Sequence, residues 1–138
     1  MVRQIPMGSS IFTQIMQGEI PSHKVYEDQY AYAFMDIHPI QTGHVLVVSR
    51  REVENFYELE GPEYDGLMQA VRTVARKLKK EFPDRARIGV IIEGLEVPHV
   101  HVKLFPIDSG DDLRRHPDMT MEPDHDALAA LAERLSKE

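Results

Sequence analysis

The 138-residue sequence contains no cysteine. That absence excludes disulfides, iron–sulfur clusters, thiolate zinc sites and cysteine nucleophiles, and it leaves the redox compartment unreadable. Long apolar runs are also missing: nothing approaches the roughly 20 residues of a membrane span. Met1 to Ser10 carries one Arg and no apolar h-region, so no secretory leader is expected. Basic residues are in deficit, with 16 Lys and Arg against 23 Asp and Glu and a formal charge of -7. This balance argues against binding nucleic acid through a broad basic face. A small anionic ligand in a local pocket is compatible with it. At roughly 150 residues per domain the chain is one domain, large enough to bury on the order of 70% of its extended surface. These features together predict a soluble cytoplasmic protein with no nucleic-acid or membrane partner.

What is present reads as alternating short elements. Ser9 and Ser10 offer N-cap hydroxyls before Ile11, Phe12, Ile15 and Met16, which fall on one helix face, and Gly18 stops that helix. Lys24 to Glu27 and Ala31 to Met35 read as two strands around a tight turn. Pro39 to Gly43 is a connection, and His44 to Ser49 is a β-branched strand. Leu67, Val71, Val74, Ala75 and Leu78 recur at helical spacing within Glu63 to Glu81, the longest helix. Its basic run, Arg72 to Lys80, reads as a solvated face that complements the helix dipole. Arg87 to Ile92 and His99 to Phe105 are two further strands, and Asp108 to Pro123 is a loop or tail. Asp124 caps a last helix with a Leu128, Leu131, Leu135 stripe. The order predicts an α+β domain with a mainly antiparallel five-stranded sheet, one short N-terminal helix, one long helix and a C-terminal helix.

The segment that carries chemistry is Val97-Pro98-His99-Val100-His101-Val102-Lys103-Leu104-Phe105. Strand alternation puts Val100, Val102 and Leu104 on one sheet face. His99, His101 and Lys103 fall on the other, about 6.6 Å apart pairwise at ~3.3 Å per residue. Three cation-capable groups in a row suit a phosphate better than a core. A His-x-His pair also occurs on plain exposed strands, and it could supply two zinc ligands, with His44 joining His99 and His101.

The segment resembles the signature of the histidine-triad (HIT) nucleotide-binding family, His-x-His-x-His on the last core strand. The resemblance spans Ile11 to Pro106. It includes Gly18-Glu19-Ile20-Pro21 with Val25-Tyr26-Glu27-Asp28, then Ala33-Phe34-Met35-Asp36-Ile37-His38-Pro39 with Gly43-His44-Val45-Leu46, and Gly94-Leu95-Glu96-Val97-Pro98-His99-Val100-His101. It implies a HIT-like domain over 1–107, with 108–138 a loop and helix extension packed on it. It also implies hydrolysis or transfer at the α-phosphate of a purine nucleotide. The leaving group would be that of a phosphoramidate, an acyl-nucleotide or a dinucleoside polyphosphate, with no cofactor or metal.

By resemblance, His101 matches the nucleophile that forms a covalent nucleotidyl-histidine, its other ring nitrogen donating to a backbone carbonyl. His99 and His44 match histidines around the phosphate, Asp36 the ribose-binding acid, and Phe12, Ile15 and Phe34 the base slot. Homodimers that join two sheets are implied as well, with the long helix sharing its apolar stripe with the partner.

The departures are equally specific. Lys103 replaces the third histidine, and at an unperturbed pKa near 10.4 it can hold a phosphate oxygen but cannot shuttle protons. Ser49-Arg50-Arg51-Glu52 stands where the family has a proline and a later histidine. The Gln or Asn expected before the motif is absent. Glu96 stands at a small-hydroxyl position near the leaving group, where it would act as an acid if its pKa is raised and repel phosphate if it is not. Two further readings stand beside the enzyme: a nucleotide-binding module without turnover, and a zinc protein using His99, His101 and His44.

Overall fold

The computed structural model describes residues 9–138; the reading of the leading residues, Ser9 and Ser10 apart, lies outside the described residues. The helices are α1 (Ile11–Met16), α2 (Gly61–Glu81) and α3 (His125–Lys137). The strands are β1 (Lys24–Glu27), β2 (Ala31–Met35), β3 (Val45–Ser49), β4 (Arg87–Ile91) and β5 (His101–Ile107). They form one five-stranded antiparallel sheet, as the element order predicts, with the strands in the order β1-β2-β3-β5-β4.

Both faces of the sheet are covered, and the strand pattern shows why. On one face Ala31, Ala33 and Met35 of β2, Val45 and Val47 of β3, and Val102 and Leu104 of β5 pack against Leu67, Ala70, Val71, Val74 and Leu78 of α2. Leu128, Leu131, Ala132 and Leu135 of α3 close the same core. The α2 stripe is therefore buried within the chain, and it calls for no partner of its own. Part of the basic run on α2 also binds inward, since Lys77 Nζ donates to the Leu135 and Glu138 carbonyls at the end of α3 at 3.2 and 3.1 Å. The Leu135 carbonyl also accepts from the Glu138 N–H at 3.2 Å, so Lys77 adds a second donor where the helix ends and intrahelical donors run out.

On the other face Tyr32, Phe34, Leu46 and Val48 meet Phe12 and Ile15 of α1. Register fixes which β5 residues join them. Val48 lies opposite His101 and Leu46 opposite Lys103, and directly opposed residues share a face. Two functional candidates thus stand over the smaller apolar cluster beneath α1.

The element boundaries differ from the sequence reading by one or two residues at several ends: β3 starts at Val45 rather than His44, β4 ends at Ile91 rather than Ile92, and β5 ends at Ile107 rather than Phe105. Helix α2 begins at Gly61 rather than Glu63, because Pro62 lies in the first turn, where no intrahelical donor is needed, and Glu63 reaches back to the Glu60 N–H at 3.0 Å. Asp108 to Pro123 contains a 3-10 turn, Gly110–Arg114. Strand β5 starts two residues late: His99 N–H donates to the Val97 carbonyl at 2.8 Å and Val100 N–H to the Val53 carbonyl at 2.9 Å. His99 thus precedes the ladder, and strand alternation does not govern where its side chain points.

No helix among the described residues is long and apolar enough to cross a membrane.

Candidate functional site

A cavity of about 670 Å³ opens over the α1 face of the sheet, within the range of small-ligand sites. Phe12, Ile15 and Phe34 form its apolar wall and His101, His44 and Lys103 its polar floor, with Asp36 and Glu96 also on its lining. Leu113, Arg114, His116 and Met119 line it too, from the stretch read in sequence only as a loop or tail. A second cavity of about 340 Å³ between α3 and the 37–43 connection holds none of the sequence-predicted site residues.

His101 is buried at the start of β5, its ring and that of Phe12 in a T-shaped contact at a centroid distance of 4.9 Å. Its Nδ1 donates to the His99 carbonyl at 2.7 Å. That bond holds the proton on Nδ1 and leaves Nε2 as the nitrogen that faces Glu96 and the cavity.

His44 reaches the cavity from the turn before β3, where Gly43 adopts φ +91. A side chain at residue 43 would be strained at that angle, and its Cβ would come within 2.8 Å of the Phe82 ring. His44 Nδ1 accepts from the Ile40 N–H at 3.1 Å, so the proton is on Nε2. That Nε2 is buried without a hydrogen-bond partner. Asp36 Oδ2 lies 3.7 Å away, too far for a hydrogen bond. Burial, with the Lys103 ammonium nearby, holds the ring down at about 3, so His44 is neutral and no ion pair forms. A buried N–H donor with nothing to donate to is costly in an empty site and useful in one that receives an anion.

His99 does not sit where alternation placed it. It is fully buried; its Nε2 donates to the Ser49 carbonyl at 2.7 Å, and its Nδ1 accepts from Ser10 Oγ at 2.5 Å. Both ring nitrogens are spent on protein groups, which leaves neither for a phosphate. Burial holds its pKa down against the raising effect of the Ser49 bond. Ser10 caps α1 by accepting from Thr13 N–H at 3.1 Å. Glu52 binds the same corner, accepting from Ser10 N–H at 2.9 Å and Thr13 Oγ1 at 2.7 Å. His99 therefore ties α1, which carries Phe12 and Ile15, to the carbonyl that orients His101. Sequence reasoning took Ser10 only as a cap and missed this link, which spans 89 residues.

Asp36 serves two ends. Its Oδ1 accepts from His38 N–H at 2.8 Å, the turn-capping role open to any Asp before Pro39, while the residue also lines the cavity. Burial raises its carboxyl above the usual range, against the lowering effects of the His38 bond and Lys103.

Lys103 and Glu96 form an ion cluster on the cavity wall. Lys103 Nζ is 3.0 Å from Glu96 Oε2 and 3.2 Å from Glu93 Oε1, with 14% of its side chain exposed. Glu96 Oε1 is 3.2 Å from His101 Nε2. Burial opposes ionisation of Glu96, yet the hydrogen bond from the Lys103 ammonium, joined by one from His101 when its Nε2 carries a proton, outweighs it and holds the carboxyl down at about 2. Glu96 is a carboxylate at neutral pH, which removes the general-acid alternative. Burial likewise opposes the charge on Lys103, and its two carboxylate partners more than restore it. Glu93, which the sequence showed only as part of a connection, is the second of those partners.

The zinc trio is not assembled. Among the described residues, the cluster whose ligand atoms all come within 4.8 Å of one another is Glu93, Glu96 and His101, without His99 or His44. Its two carboxylates already hold the Lys103 ammonium.

The neutral state of His44 has a consequence for stability. Its folded pKa lies below the 6.5 of a free histidine, so the unfolded chain takes up a proton that the folded one refuses. Stability is full above pH 6.5 and falls as pH drops below it. From pH 7.5 to 5.5 the loss from His44 is about 1.4 kcal/mol, and His99 adds in the same direction. Denaturant unfolding at the two pH values measures the loss, and His44→Asn is expected to remove the His44 share.

The HIT domain model matches residues 17–110. The chain belongs to the HIT family. An uncharacterised HIT-like protein of Methanocaldococcus jannaschii is 38% identical over 104 residues, 73% of this chain and 81% of its own length. An adenosine 5′-monophosphoramidase of Saccharomyces cerevisiae is 31% identical over 96 residues, covering 70% of this chain and 61% of the yeast protein. An asymmetrical bis(5′-nucleosyl)-tetraphosphatase of Schizosaccharomyces pombe is 32% identical over 112 residues, covering 78% and 54%. Among solved structures, a HIT-like protein from Bartonella henselae superposes with a TM-score of 0.78 at 27% identity, over 94% of this chain and 96% of its own.

Proposed function

We propose that this HIT protein hydrolyses, or transfers the nucleotidyl group of, a purine nucleoside monophosphate joined through its α-phosphate to a leaving group. Phosphoramidates, acyl-nucleotides and dinucleoside polyphosphates are the substrate classes of this kind. The observation that carries the reading is the pair of opposed imidazole states at the cavity floor. The His101 Nδ1 bond to the His99 carbonyl leaves Nε2 for attack, and the buried His44 Nε2–H has no partner.

In this reading the His101 Nε2 lone pair forms a bond to the α-phosphorus. The bond to the leaving group breaks, and that group departs with its electron pair and takes up a proton from solvent. Water then attacks the phosphorus, releasing a proton to solvent, and the N–P bond breaks, returning the lone pair to Nε2. His44 donates to a non-bridging oxygen and stabilises the charge that builds there. Lys103 attracts the phosphate as a fixed cation. Asp36 Oδ2 accepts from the ribose hydroxyls, and Phe12, Ile15 and Phe34 enclose the base. His99, expected in sequence beside the phosphate, acts instead through its carbonyl and its hold on α1. Residues 1–107 form the HIT-like domain in this account, and 108–138 the extension packed on it.

The test is incubation with adenosine and guanosine phosphoramidates, acyl-nucleotides and dinucleoside polyphosphates. Release of the nucleoside monophosphate supports the reading, and no release from any of them overturns turnover. Tight AMP or GMP binding without release favours the binding module, for which the Glu96–Lys103 pair beside His101 is the supporting observation.

We also propose a cytoplasmic homodimer joined through β4. That strand is a sheet edge, and its Val90 is exposed. An open apolar edge is a ready template for a second copy. Light scattering at micromolar concentration is expected to give twice the 15.8 kDa chain mass, and a monomer mass refutes the dimer.

A further inference from the structure

The groups that the proposed mechanism assigns to the phosphate are already engaged by an anion of the protein's own. One Glu96 oxygen lies 3.2 Å from His101 Nε2 and the other 3.0 Å from Lys103 Nζ. A carboxylate spans two donors much as two phosphate oxygens would. A carboxylate oxygen only accepts, so its contact with Nε2 is a hydrogen bond only when that nitrogen carries a proton, and a protonated Nε2 has no lone pair to attack with. Phosphate therefore meets neither His101 nor Lys103 fully until Glu96 leaves.

We propose that Glu96 is a specificity-determining residue that occupies the phosphate seat of the empty site and competes with the ligand's phosphate for His101 and Lys103. The proposal rests on the reading of the cavity as a nucleotide site.

Three features make the competition reversible rather than a permanent block. Glu96 lies outside the strands, on the connection between β4 and β5. Its side chain is 54% exposed, so its ion pair is of the solvent-screened kind that holds weakly. Glu93, 3.2 Å from the same ammonium, keeps Lys103 at the wall when Glu96 swings out. The competition discriminates by charge. A ligand with a phosphate can displace Glu96, whereas a nucleoside without one gains nothing by doing so. Because the seated state must be broken before phosphate binds, apparent affinity is reduced by the fraction of protein in which the seat is free.

The test compares the intact protein with Glu96→Gln and Glu96→Ser, using AMP and adenosine as ligands in calorimetric titrations. AMP is expected to bind both variants about three- to tenfold more tightly, with adenosine affinity unchanged. Adenosine is the control for a purely structural role, since a general change in cavity shape would move both ligands together. Unchanged AMP affinity in both variants, with AMP binding the parent, overturns the role of Glu96 and leaves the nucleotide reading standing. A parallel rise for AMP and adenosine overturns it as well. Failure of AMP and adenosine to bind parent or variant overturns the nucleotide reading, and this inference with it.

Discussion

Replacing His101 with alanine or asparagine is expected to abolish turnover, a loss of roughly 10⁴-fold or more, while AMP affinity stays within about tenfold of the parent. The two effects separate because a nucleophile contributes mainly in the transition state, whereas most of the cavity wall, Ile15, Phe34, Asp36 and His44, does not depend on the His101 ring. The asparagine variant guards against misfolding, since His101 is buried and its ring packs against Phe12. Steady-state kinetics and calorimetry on the same preparations give the comparison. Turnover equal to the parent removes His101 from the chemistry. Equal loss of AMP affinity and turnover reduces its part to ground-state binding.

His99→Leu is expected to act on stability first. Leucine fills similar space but removes the donor to the Ser49 carbonyl at 2.7 Å and the acceptor of the Ser10 hydroxyl proton at 2.5 Å, leaving Ser10 Oγ only its contacts with Thr13. An unsatisfied buried partner costs about 1–3 kcal/mol, so the pair together costs about 2–5 kcal/mol and Tm falls by about 10 °C or more. Ser10→Ala removes one of these bonds together with the α1 cap and is expected to cost about 1–3 kcal/mol. Thermal unfolding of both variants decides between the two roles given to His99. An unchanged Tm with lost AMP affinity would return His99 to direct phosphate contact.

The contrast between His99 and His101 marks where the sequence is legible. Alternation reads correctly from residue 101 onward, because the ladder with β3 pairs Val48 with His101 and Leu46 with Lys103. It fails at 99, where backbone hydrogen bonds within the loop and to Val53 replace the ladder, a long-range choice that no local pattern carries. The α2 stripe was legible as apolar and periodic, yet its partner was not. The sheet and the α3 stripe bury it, and Leu135 lies more than fifty residues beyond the last turn of α2. Glu96 was visible as a departure from the family pattern, but its ionisation depends on Lys103 seven residues on, and the sign of that effect comes only from the 3.0 Å contact. Arg114, His116 and Met119 reach the cavity from a stretch whose composition reads as loop, since composition records flexibility and not where a loop is anchored.

The proposed mechanism requires a bond between His101 Nε2 and the substrate's α-phosphorus. Mass spectrometry of the protein quenched during the first turnover, under alkaline denaturing conditions that spare a phosphorus–imidazole bond, tests it directly. The predicted result is a nucleotidyl adduct on the peptide containing His101, lost as free nucleotide accumulates and absent from His101→Ala. Turnover that proceeds with no adduct, or with the adduct on Lys103 or another residue, would contradict the mechanism.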